Sequence, residues 1–121
     1  MISKGNKLVR NVNGISTKQE LRIIDFLQGS VYCWCKNKKG EWFALRDLMG
    51  GDNYFWSCTP LYVLYEKHKV GATKENTAVE RAAKDAGWLL KKMIVSDKRE
   101  FESKEEGLTR KYKWTGKEFN R

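Results

Sequence analysis

The chain has 121 residues, 40% of them hydrophobic and 12% aromatic, with 24 Lys and Arg against 15 Asp and Glu for a net charge of +9. That length is close to the commonest for a single domain and is enough to bury a core without staples. The apolar content excludes a disordered chain, and no apolar run approaches the ~20 residues of a bilayer crossing.

In chain order, residues 1–15 are rich in Asn, Gly and Lys and lack periodicity, which predicts a flexible arm bearing Lys4, Lys7 and Arg10. No hydrophobic segment follows the charged start, so no secretion signal is expected. Thr17-Lys18-Gln19-Glu20 reads as a capping box, and Leu21, Ile24 and Leu27 follow at helical spacing up to Gly29. This predicts a helix over 17–28. Residues 30–36 alternate, with Val31, Cys33 and Cys35 on one side and Tyr32 and Trp34 on the other. With a turn at 37–40 and a return strand at 41–45, they predict a hairpin. Gly50-Gly51-Asp52-Asn53 marks a loop.

Thr59-Pro60 has the form of an N-cap and first helical residue, and Leu61, Leu64 and Tyr65 extend it to a short helix over 60–68. After a polar connection at 70–75, Val79, Ala82, Ala83, Ala86, Leu90 and Met93 recur at spacings of three and four. They give the strongest helix, 77–94, with Gly87 a cost of about 1 kcal/mol in its middle. Residues 97–103 and 108–114 then read as a hairpin around a turn at 104–107. The expected fold class is α+β: three helices, a C-terminal hairpin and an additional N-terminal hairpin, in a single domain over 16–121 behind the arm.

The basic balance favours a polyanionic partner, nucleic acid before an anionic membrane surface. The charge is uneven, with eight basic and two acidic residues in 1–40 and equal numbers in 41–74. Opposite the apolar face of helix 77–94, Thr77, Arg81, Lys84, Trp88 and Lys91 fall in one row, with Lys92 alongside. A recognition helix needs such a row, because Arg reads base edges and Lys meets phosphate only from a shared face. Trp88 on that polar side must cover something: hairpin, partner or ligand. In the C-terminal hairpin, Glu100 and Glu102 are expected beside Lys111 and Lys113. Glu105 and Glu106 at the turn repel phosphate, which leaves Lys104, Arg110 and Lys111 to contact a backbone from the sides.

The succession helix, strand, helix, longer helix, hairpin over about 17–115 resembles the winged-helix variant of the helix-turn-helix group. That resemblance implies a third helix in the DNA major groove and a hairpin, the wing, beside it. Two segments depart from the family's usual order: a hairpin and long loop at 30–58 where one short strand normally stands, and a connection at 69–75 longer than a tight turn. The chain is also similar to small phage- or prophage-encoded proteins, a likeness tied to no motif. The expected function is a cytoplasmic DNA-binding protein, a regulator rather than an enzyme. It would contact double-stranded DNA through Arg81, Lys84, Trp88, Lys91, Lys92, Arg110 and Lys111, with Lys4, Lys7 and Arg10 trailing into a groove.

Other chemistries are weaker. Cys33, Cys35, Cys58 and His68 are the only Cys and His residues, and their spacing matches no zinc knuckle. Cys33 and Cys35, two apart on one predicted strand face, are poorly placed to bridge each other, so the thiols are expected reduced. His68 reads as a helix C-terminal dipole partner. Asp47, Asp52, Glu66 and His68 form a nuclease-like cluster only on paper, and Gly50-Gly51 lacks the Lys-Ser/Thr of a phosphate loop. No metal or cofactor is expected. The alternative is a protein-interaction module, such as a phage-encoded modulator of a host complex, using Tyr54, Phe55, Trp56 and Trp88 as a contact patch.

Overall fold

The structure is a computed structural model and describes residues 8–51, 56–71 and 74–119. Over those residues the chain is α+β, with four helices followed by a two-stranded antiparallel hairpin. No helix among them is long and apolar enough to cross a membrane.

Helix α1 spans Thr17–Asn37. Its capping box lies one residue earlier than expected. The Ser16 hydroxyl accepts from the Gln19 backbone N–H (3.1 Å) and the Gln19 side chain accepts from the Ser16 N–H (2.8 Å). Glu20, not needed as a cap, pairs instead with Lys92 of a later helix at 2.8 Å.

The predicted strand at 30–36 does not exist, because α1 runs straight through it. Ile23, Leu27, Val31 and Cys35 are the buried residues of α1 and lie four apart. That unbroken row places one apolar stripe against the core, and its burial outweighs the cost of Gly29 and of the aromatic and β-branched residues. Cys33 is exposed and Cys35 buried, since two residues along a helix point nearly opposite ways.

The predicted return strand shrinks to one residue. Phe43 makes an isolated antiparallel bridge to Tyr112, with both N···O distances 2.8 Å. The single turn α2, Leu45–Leu48, follows at once, its start held by the Asp47 carboxylate accepting from the Ala44 N–H at 2.8 Å. The additional N-terminal hairpin is therefore replaced by a longer helix, one bridging residue and a helical turn.

Helix α3 spans Tyr62–Lys69. Thr59 caps the turn that leads into it, accepting from the Leu61 N–H at 3.2 Å. Helix α4 spans Glu75–Ser96 and buries Ala78, Ala82, Ala86, Leu89, Leu90, Met93 and Ile94. Val79 is half-buried and Ala83 exposed, so the buried stripe sits slightly rotated from the expected one.

Strands β1, Arg99–Glu106, and β2, Thr109–Glu118, pair around Gly107-Leu108. Gly107 has φ +63°, the positive dihedral that a two-residue hairpin loop needs at its first position. The turn is therefore tighter and later than the one expected at 104–107.

The core joins these elements. Ile23, Leu27 and Val31 of α1, Leu61 and Leu64 around α3, the α4 stripe, and Phe101 and Tyr112 of the hairpin belong to one cluster. Phe43 sits at its aromatic centre, with ring centroids 6.2 Å from Phe101, 6.0 Å from Tyr112 and 5.8 Å from Trp34. At the base of the hairpin, Asp97, only 6% exposed, takes a two-pronged contact from Arg99, Nε to Oδ1 at 2.8 Å and Nη2 to Oδ2 at 2.6 Å. Burial acts against the ionised form of Asp97. The hydrogen bonds from the Arg99 guanidinium and backbone N–H outweigh it and hold the carboxyl below the usual range.

Candidate nucleic-acid interface

Helix α4 carries the predicted row, and the fold divides it in two. On the N-terminal half, Arg81 and Lys84 are exposed on the side away from Ala78, Ala82 and Ala86. Among the described residues neither has an acid within ion-pair distance. Thr77 is half-buried beside them, and Lys74, Asn76 and Glu80 are exposed. Asp85, the acid next in sequence to Lys84, is engaged elsewhere: its Oδ2 lies 2.7 Å from both Lys67 Nζ and His68 Nε2 on α3. That triad ties α3 to α4. Lys67 also donates to the Asn13 carbonyl, which fixes the end of the N-terminal segment.

On the C-terminal half the expectation fails. Lys91 is only 6% exposed, so it is not a groove-facing contact. The row reads as one stripe in sequence, but its last turn lies within the fold. Burial, and then the nearby Arg110 guanidinium, hold the Lys91 ammonium below the usual lysine range, with Glu105 acting the other way. Trp88 is half-buried and packs against the core. The Arg10 guanidinium lies 5.1 Å and the Lys91 ammonium 5.4 Å from the centroid of its ring. Arg10 and Asn13 thus anchor part of the predicted arm, and Val12 enters the core. Lys4 and Lys7 lie outside the described residues. Lys92 is exposed but paired with Glu20.

The hairpin cations are also engaged. Arg110 binds Glu105 at 2.6 Å and Ser103 at 3.1 Å. Lys111 and Lys104 share Glu106 at 3.2 and 3.0 Å, and Lys113 meets Glu102 at 3.4 Å. The Glu102–Lys113 pair is as expected. Lys111 instead faces Lys104 in the register and turns to the acid at the tip. Trp42 lies on these lysines, its ring centroid 4.2 Å from Lys104 Nζ and 5.1 Å from Lys113 Nζ. Its alternation with Phe43 across the bridge was the signal for that placement, but only the pairing partner, distant in sequence, makes it legible.

No group of three or more metal-type ligands occurs among the described residues. Asp47 caps α2, Glu66 is exposed and His68 is bound to Asp85; Asp52 lies outside the described residues. A cleft of about 270 Å³ between α1 and the entry to α3, lined by Gln19, Arg22, Thr59, Tyr62 and Glu66, contains none of the predicted contacts. For the alternative contact patch, Trp56 is buried, which removes it from any surface, and Tyr54 and Phe55 lie outside the described residues. Comparison with protein-family models, with curated proteins and with solved structures gave no match to this chain.

Proposed function

We propose that the protein binds double-stranded DNA as a winged-helix-like domain, a non-catalytic regulator in which the N-terminal half of α4 enters the major groove. The observation that carries this reading is the exposed pair Arg81 and Lys84, three residues apart on one side of α4 and without an acid partner among the described residues. Cations held by carboxylates must exchange one partner for another to meet phosphate; these two need not. Lys74, Asn76 and Thr77 complete the end of the helix that approaches the groove. Chain order supports the same reading. The Phe43–Tyr112 bridge stands where a winged helix has its first short strand, and it joins the second strand of the hairpin.

The hairpin contributes shape more than charge, because Arg110 and Lys111 already face Glu105 and Glu106. The test is gel retardation of duplex DNA by the Arg81→Glu/Lys84→Glu double variant. Retardation is expected to disappear while the circular dichroism and melting temperature stay those of the wild type. Loss of two phosphate contacts also lowers the slope of log affinity against log salt by about 1.8 in the milder Arg81→Gln/Lys84→Gln variant. Unchanged binding by both variants rejects the assignment.

A further inference from the structure

The C-terminal half of the α4 row poses a separate question. Lys91 is buried at 6% exposure, yet among the described residues its ammonium has no hydrogen-bond acceptor and no carboxylate within ion-pair distance. It rests against the Trp88 ring, which it shares with Arg10. A π-face attracts the charge but leaves the three N–H donors unmet. A buried donor of this kind is met by an ordered water or by a bound ion. Arg110 acts on Lys91 as a like charge. Glu105, which acts on Lys91 the other way, is bound to Arg110 at 2.6 Å. The Arg110–Glu105 pair is thus neutral, and Lys91 and Arg10 are left as two cations on one ring without a carboxylate partner among the described residues.

We infer that Lys91 and Arg10 form a binding site for a phosphate group beside Trp88. A multiply charged tetrahedral oxyanion matches a cluster with two charges in excess and many N–H donors in different directions. A single carboxylate would leave one of those charges uncompensated. The phosphate is either a diester in a nucleic-acid backbone or a free monoester or inorganic phosphate. The site does not rest on Arg81 or Lys84, so it stands or falls separately from the groove-binding reading.

Thermal melts of the full chain in inorganic phosphate, against chloride at equal ionic strength and pH, test the site. Phosphate at tenfold over its Kd raises the wild-type Tm by about 5 °C. General exclusion of phosphate from protein surfaces raises every variant alike, so the specific part is the difference from Lys91→Met. That variant keeps the stem and removes the charge, and it is expected to lose the increment. Arg10→Gln, at an exposed position of the N-terminal segment, is expected to lose most of it too and carries the test if Lys91→Met does not fold. An increment equal in wild type and variants, or absent from the wild type, overturns the site. Duplex binding then separates the sources. A Lys91→Met salt slope lowered by about one identifies a backbone phosphate, and unchanged duplex binding with a lost phosphate increment identifies a free one. Arg81→Glu/Lys84→Glu keeps the phosphate increment in either case.

Discussion

Asp97 and Arg99 show how a buried charge is tolerated at the scale of one residue. Each satisfies the other with two contacts at 2.6 and 2.8 Å, so neither is left as an isolated ion in the core. Removing one partner strands the other. Asp97→Ala is expected to cost about 3–5 kcal/mol in a urea titration. The folded carboxyl titrates below its unfolded value. Its contribution is therefore complete above about pH 4 and is lost as the pH falls through the lower, folded value. Urea midpoints between pH 5 and pH 2 should fall steeply in the wild type and less so in Asp97→Ala. Lys91 is the opposite case, a buried cation without such a carboxylate among the described residues, which is why Lys91→Met should fold at least as stably as the wild type in chloride.

At the scale of elements, α1 and α4 each carry a glycine in mid-helix. A methyl group built on Gly29 or Gly87 meets nothing within 4 Å. Gly87 therefore opens no close helix contact, and neither glycine is required by packing. Gly29→Ala and Gly87→Ala should each stabilise the protein by about 0.5–1 kcal/mol, measured as a shift in urea midpoint at unchanged slope. The Gly29 result also checks α1 itself, since alanine at a strand entry gives no such gain. The loop glycine Gly107 behaves differently. Its φ of +63° is strained for any side chain, so Gly107→Ala should destabilise the hairpin.

Across the whole molecule, Phe43 is the residue through which the helices and the hairpin meet. It is fully buried, pairs by backbone with Tyr112, meets the Phe101 ring edge-on and packs at a tilt against Trp34 and Tyr112. Phe43→Ala is expected to cost about 3–4 kcal/mol, and native-state hydrogen exchange should show early loss of protection at the Tyr112 amide. Charge is organised on the same scale. The hairpin cancels most of its own charge through Glu102, Glu105 and Glu106, and α1 neutralises Lys92 through Glu20. The exposed cations of α4 that lack an acid partner among the described residues, Arg81 and Lys84, lie on its N-terminal half.

Local rules determined much of this from the sequence alone. The apolar spacing of α4, the Thr59-Pro60 entry to α3 and the alternation of the C-terminal strands each depend on neighbours within a few residues, and each element is present. The strand expected at 30–36 failed because period two and period four fit Val31 and Cys35 equally well. Only the line those residues form with Ile23 and Leu27 against α4 and the hairpin decides between them. The site divided in the same way. One face of α4 holds Arg81, Lys84, Trp88 and Lys91 by helical geometry, so their common row was legible. Which of them meets solvent and which is enclosed depends on the N-terminal segment and on the hairpin, segments far apart in the chain that only the folded core brings to the same helix.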